Sequence, residues 1–278
     1  MSIEKIKDNV YAITDGSTRG NVAAYVLPNQ VIFVDSGMHI PMIKKFREYI
    51  EQETGKKAST LFITHAHGDH VFGNQVFEDC EIITSELTHE AMVESKEKNW
   101  TPEAIEEWKK NSEDPAGLDG LKIVLANKTF ADEYELKDGD VKVIIKRTGG
   151  HTEGSSYVYC PNYRVMFAGD NLFNHSFPWG GTPTSNPVKW AKAIQEYLDL
   201  EVEHYIPGHG LISDKEPLEK FLDYLNKVIS LMNDMISEGR TEDEIVKQAD
   251  NIEYYPPREG REQWKALSLK KWYEVLSA

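Results

Sequence analysis

The chain is poor in cysteine, in basic charge and in long apolar runs. Cys80 and Cys160 are its only cysteines, and two free thiols in a reducing cytoplasm is the better reading of so few. No apolar stretch approaches the ~20 residues that span a bilayer. The opening Met1-Ser2-Ile3-Glu4-Lys5 lacks the basic-then-apolar pattern of a signal peptide. A cytoplasmic protein with no membrane partner is the expectation. Lysine and arginine number 31 against 46 aspartates and glutamates, a formal net charge of −15. Nucleic acids are held by neutralising their phosphates, so no nucleic-acid partner is expected. Bound divalent cations would offset part of the acidic excess. With 278 residues the chain can bury a full core, as one large domain or one domain with an appendage.

Hydrophobic periodicity supplies the organisation. Ile6 to Ile13, Asn21 to Leu27 and Val31 to Val34 read as strands, with Pro28-Asn29 as a turn. Ile43, Phe46 and Ile50 lie at helical spacing before Gly55. Strands through Leu61-Phe62-Ile63 and Glu81 to Thr84 follow. Residues 86–118 read as a helical insertion, with Thr101-Pro102 as a helix start and 111–120 as a loop. Lys137 to Asp140 reads as a hairpin turn between strands at 130–134 and 141–145, and Pro161-Asn162 as a second. A helix follows Asn186-Pro187. Leu218 to Ile236 carry a long apolar stripe that suits core packing or the surface of a homodimer, and Thr241 with Glu244 forms a capping box. Strands and helices alternate twice, in similar halves. That predicts an α/β fold of two packed sheets with helices outside.

What the chain has in abundance at one place is histidine. Thr64-His65-Ala66-His67-Gly68-Asp69-His70 puts three imidazoles and a carboxylate in six residues, just past a strand. These are the ligands that borderline metals such as zinc prefer. His65 and His67 are two apart, so in an extended chain both point the same way and can share one metal. Asp69 and His70, after a turn at Gly68, can face a second. Zinc usually takes about four ligands, so the rest must come from afar. His151 after Gly149-Gly150, Asp170 after Ala168-Gly169, and His209 between Gly208 and Gly210 all stand at strand ends beside glycine, where the backbone can approach closely.

That ordered set, with Val34-Asp35-Ser36-Gly37 ahead of it, resembles the metallo-β-lactamase superfamily over about residues 3–212. The resemblance implies a four-layer αβ/βα sandwich with a dinuclear site at one edge. It implies that His65, His67 and His151 hold one metal, that Asp69, His70 and His209 hold another, and that Asp170 bridges them. Asp35 would orient the ligand loop. Two Zn2+ are expected, with iron or manganese as alternatives. Residues 1–212 would form the catalytic domain, and 213–278 a helical extension packed on it.

Two such metals ~3.5–4 Å apart share a hydroxide, available near neutrality because zinc lowers the pKa of water to roughly 7. A bridging hydroxide attacking the carbonyl of a small-molecule ester, thioester or lactone is the expected reaction, with Asp69 orienting the hydroxide or passing on its proton. Asp170 at the bridge is the pattern of the family's thioesterases, lactonases and phosphodiesterases, while many of its β-lactamases carry cysteine or serine there. Phosphodiester or weak β-lactam hydrolysis is the alternative. The family's diiron redox proteins form a second alternative, disfavoured because they typically carry glutamate where this chain has His67. His175 and the aromatic loop 174–181 suit either a pocket wall or a packed surface loop.

Overall fold

The structure, a computed structural model, describes residues 1–111 and 114–278. Seven strands form the first sheet in chain order. They are β1 (Glu4–Lys7), β2 (Val10–Ile13), β3 (Val22–Val26), β4 (Val31–Val34), β5 (Ala58–Phe62), β6 (Glu81–Ser85) and β7 (Lys128–Phe130). β1 to β4 run antiparallel through short turns, and β4 to β7 run parallel. Parallel neighbours need crossovers. These are α1 (Ile40–Thr54), then the short α2 (Gly68–Val71) with a 3-10 turn, then α3 (Glu86–Lys98) and α4 (Pro102–Asn111). The second sheet contains β8 (Glu133–Asp138), β9 (Val141–Arg147), β10 (Ser156–Cys160), β11 (Val165–Phe173) and β12 (His204–His209). Its order is β12-β11-β10-β9-β8, antiparallel except for β11 with β12. α5 (Pro187–Asp199) makes that parallel crossover. α6 (Glu216–Ser237), α7 (Glu242–Asp250) and α8 (Trp264–Ser277) close the chain.

Three apolar cores define four layers. Tyr25, Phe62, Ile83 and Phe130 of the first sheet meet Val143, Ile145, Val158, Phe167 and Ile206 of the second. Ile43, Phe46 and Ile50 of α1 cover the first sheet's outer face at Phe33 and Leu61. Trp190, Phe221, Val228, Ile245, Leu269 and Trp272 cover the second sheet's outer face at Tyr157, Met166 and Ala168. Along β10 the sides alternate, with Val158 and Cys160 inward and Tyr157 and Tyr159 outward, as a pleat requires. The α6 stripe packs into the outer core, and both cysteines are buried free thiols. The capping box at Thr241 and Glu244 is present.

Three local expectations change. Phe130 and Tyr134 do not share a strand. Phe130 ends β7 in the first sheet, Tyr134 lies in β8 in the second, and the chain crosses between sheets at 131–132. The turn expected at Gly68 is helical, since Gly68 is the first residue of α2, where a Cβ would press on the Phe72 ring at 2.9 Å. The loop expected at 111–120 is partly ordered, since α4 runs to Asn111 and a 3-10 turn spans Pro115–Leu118, while residues 112–113 lie outside the described residues.

Candidate metal centre

β9, β11 and β12 run the same way, as do β4 and β5. Their C-terminal ends meet at one edge of the sandwich, and every candidate metal ligand read from the sequence stands there. Asp35 follows β4 with a left-handed backbone, φ 52°. His65 to His70 follow β5, His151 follows β9, and His209 ends β12. Asp170 lies within β11, where Gly169 at φ 57° and a register shift bend the strand.

Two donor groups form. His67 Nδ1 lies 3.1 Å from His65 Nε2 and 3.0 Å from His151 Nε2. One N–H serves one acceptor, so hydrogen bonding cannot satisfy all three nitrogens. In the second group, His209 Nε2 is 3.3 Å and His70 Nε2 is 3.9 Å from Asp69 Oδ2. Asp170 faces both. Its Oδ2 lies 3.6 Å from His65, 3.4 Å from His151 and 3.4 Å from His209, and its Oδ1 lies 3.1 Å from His70. Ligand atoms of His65, His67, His151 and Asp170 fall within 4.8 Å of one another, as do those of Asp69, His70 and His209.

The residues fit a cation. His70 Nε2 and Asp170 Oδ1 are buried and have no partner in hydrogen-bonding geometry, although they face each other. Each such orphan costs about 1–3 kcal/mol, which a metal would remove. The nitrogen and carboxylate donor set suits zinc. A third geometric cluster, Asp35 with His65 and His70, is a hydrogen-bond network instead. Asp35 Oδ1 accepts from Thr64 N at 2.8 Å, and its Oδ2 accepts from Thr64 Oγ1 and His70 Nδ1, both at 2.7 Å.

Burial drives the His67 imidazole down to about 3, helped by the nearby His65, and burial also pushes His151 well down. Both stay neutral, the form that binds metal. Burial works against charge on Asp69 and Asp170, yet His70 and His209 hold both carboxyls below their ordinary range. The same attraction overrides burial to raise His70 and His209.

Sequence reasoning missed the residues that aim these ligands. Asn171 is buried on β11. Its Oδ1 accepts from His151 N at 3.0 Å, and its Nδ2 donates to Gly149 O and Tyr197 OH, both at 2.8 Å. An amide inside an otherwise apolar strand was the available signal. His151 Nδ1 donates to Trp179 O at 2.7 Å, and a backbone carbonyl leaves no trace in sequence. Arg258 Nη1 donates to His209 Nδ1 at 3.2 Å from beyond the motif set. His175 is exposed against Tyr255, with ring centroids 5.1 Å apart, so this loop contributes Trp179 rather than His175.

The edge opens into a cleft of about 1060 Å³, lined by Asp69 and His209 together with Met38, Met42, Trp108, Leu118 and Trp264. Among the described residues, no helix is long and apolar enough to cross a membrane.

Comparison with known proteins agrees with this architecture. Residues 17–209 match the family model of the metallo-beta-lactamase superfamily. A type 2 metallo-beta-lactamase of Bacillus cereus is 25% identical over 245 residues, 81% of this chain and 82% of that protein. An acyl-coenzyme A thioesterase of Gallus gallus is 23% identical over 186 residues, 62% of this chain and 64% of its own length. The solved structure of a metallo-beta-lactamase from Pontibacter korlensis superposes with a TM-score of 0.62 at 18% identity, covering 81% of this chain and 98% of that one, a likeness of fold. A family match over most of the sequence makes the membership plain: this chain belongs to the metallo-beta-lactamase superfamily and is a metal-dependent hydrolase.

Proposed function

We propose that this hydrolase holds two zinc ions and cleaves the carbonyl of a small-molecule ester, thioester or lactone. The observation that carries the reading is Asp170, one buried carboxylate facing both histidine groups with an unsatisfied oxygen. His65, His67 and His151 would hold one ion, Asp69, His70 and His209 the other, and Asp170 both. A cation on His209 Nε2 requires the proton on Nδ1, which releases the hydrogen bond from Arg258. When bound, the ions supply a water acidified to roughly pKa 7 and polarise the electrophile's oxygen.

The chain's own residues do the rest. Asp69 is the only carboxylate of the set that reaches the cleft, with its side chain 30% exposed. It stays ionised, so it would accept a hydrogen bond from the attacking water and orient it. Asp35, Asn171 and the Trp179 carbonyl fix the imidazoles so that each presents a defined nitrogen. Met38, Met42, Trp108 and Trp264 give the acyl portion an apolar wall. A carbonyl electrophile is common to the lactam and thioester named for the two curated relatives. Residues 1–212 would act as the catalytic domain, and α6 to α8 as an extension sharing the core of α5, β10 and β11. Two free thiols support a cytoplasmic location.

A panel of ester, thioester, lactone, β-lactam and phosphodiester substrates on zinc-loaded protein tests this. Turnover of at least one of the first three is expected, lost together with metal in His67→Ala and Asp170→Ala. Turnover confined to phosphodiesters or lactams, or persisting in metal-free protein, would overturn the reading.

A further inference from the structure

Seven arginines occur in the chain. Four are committed to carboxylates: Arg47 to Glu51 and Asp79, Arg147 to Asp132, Arg164 to Glu203, and Arg240 to Glu238 and Glu244. The other three, Arg19, Arg258 and Arg261, make no ion pair with a carboxylate among the described residues, and all three line the cleft beside Asp69 and His209. Carboxylates outnumber basic side chains 46 to 31 in this protein, so partners are not scarce. Three like charges left together repel one another and create a local field that attracts an anion.

The backbone of the first and the guanidiniums of the other two are also held in place. Arg19 sits on the loop after β2 in a left-handed conformation, φ 68°, with its N–H bonded to Gly16 O at 3.0 Å. Arg258 lies over the Trp264 ring at 5.2 Å and the Phe173 ring at 5.6 Å, and Arg261 lies over Trp264 at 5.7 Å. One indole thus carries two guanidiniums, an arrangement that limits their freedom without neutralising them. Of the acidic residues on the same walls, Asp69 pairs with His209 Nε2 at 3.3 Å, Asp114 pairs with His39 Nε2 at 2.9 Å, and Glu259 is exposed. Met38, Met42 and Trp108 also line the cleft.

We propose that Arg19, Arg258 and Arg261 form a subsite for an anionic group of the substrate, a carboxylate or a phosphate, whose apolar part runs over Met38, Met42 and Trp108. The proposal rests on the hydrolase reading above and narrows its substrate class. Guanidinium forks match both oxyanions, because each offers two oxygens to parallel N–H donors. A substrate anchored there would hold its scissile carbonyl close to Asp69 and His209, which line the same cleft, with Arg258 Nη1 only 3.2 Å from His209 Nδ1.

Acetyl thioesters of three thiols test it on zinc-loaded protein: neutral N-acetylcysteamine, carboxylate-bearing N-acetylcysteine and phosphate-bearing phosphopantetheine. Wild type is expected to favour at least one charged thioester by about tenfold or more in kcat/KM, expressed in KM, since charge-assisted hydrogen bonds are the strong ones. The preferred anion identifies the source. Arg258→Gln with Arg261→Gln should narrow that preference by about tenfold, and Arg19→Gln by less. Equal handling of all three thioesters, or variants that slow charged and neutral substrates alike, would overturn the subsite. A second readout separates this idea from the hydrolase reading. Calorimetric titration of metal-free protein with phenyl phosphate, 3-phenylpropionate and neutral 3-phenylpropanamide should show anion-selective binding that the arginine variants weaken. If no ester, thioester or lactone of the panel is cleaved but that selectivity holds, the subsite stands and the proposed carbonyl chemistry falls. If thioesters are cleaved but no arginine-dependent selectivity appears, the subsite alone falls.

Discussion

Replacing Asp35 by Asn isolates the contribution of one hydrogen bond to metal binding. Asp35 is buried and accepts three bonds, from Thr64 N, Thr64 Oγ1 and His70 Nδ1. Asparagine is nearly isosteric and tolerates the left-handed φ of 52°, so backbone strain does not confuse the result. The Thr64 amide demands an acceptor, so the Asn oxygen must stay at that side. Its NH2 then faces His70 Nδ1, where the carboxylate had accepted. Two donors cannot face each other, so His70 must move its proton to Nε2. Nε2 is the orphaned nitrogen aimed at Asp170, and once protonated it cannot bind metal. Loss of such an orienting partner lowers metal affinity about 10- to 100-fold, or about 1.4–2.7 kcal/mol. One zinc equivalent should weaken by that factor in competition with a chromophoric chelator, while the site at His65, His67 and His151 keeps its affinity. Nitrogen-15 NMR of the imidazoles should report the tautomer change in the metal-free protein once the pH is high enough to leave His70 neutral. Two equivalents bound as tightly as in wild type, with His70 still protonated on Nδ1, would refute the reasoning.

Gly208→Ala should cost stability and metal together. Its Cβ would fall on Asp170 Oδ1 and lie 2.7 Å from the Gly169 carbonyl carbon, and overpacking of this kind costs about 1–3 kcal/mol; a wild-type melting temperature and zinc content would contradict this. For the metal-free protein, melting temperature should peak near pH 6.5. His67 and His151 are depressed in the folded state, so folding is favoured as pH rises toward their ordinary 6.5 and weakened as it falls below. His70 and His209 are raised, so their contribution is complete below 6.5 and is lost as pH rises through their folded values. Asp69 and Asp170 are depressed and add a further loss below about 3.8. A flat profile from pH 4 to 9 would count against this electrostatic description.

The layers were legible in the sequence because burial writes itself into periodicity. β4, β5 and β10 are apolar runs, and the stripe of α6 repeats at helical spacing. The candidate ligands stood out because imidazoles beside glycine at strand ends have few structural uses. Position within a sheet was less so. Nothing in Phe130-Ala131-Asp132-Glu133-Tyr134 marks the crossing between sheets, since it contains neither glycine nor proline and both halves are extended. The supports of the site were least visible. The Trp179 carbonyl bonds His151 through backbone that every residue possesses. Arg258 reaches His209 across 49 residues through the packing of α8 on the second sheet's outer core. Such contacts follow from tertiary geometry, which local spacing does not encode.

The central claim is that two metals share Asp170. Stoichiometry measured on one preparation tests it most directly, by zinc titration with elemental analysis of wild type and Asp170→Asn. The account predicts two equivalents per wild-type chain and weakening of both sites in the variant, because Asp170 faces both histidine groups. A single equivalent in wild type, or a variant in which only one site weakens, would contradict it.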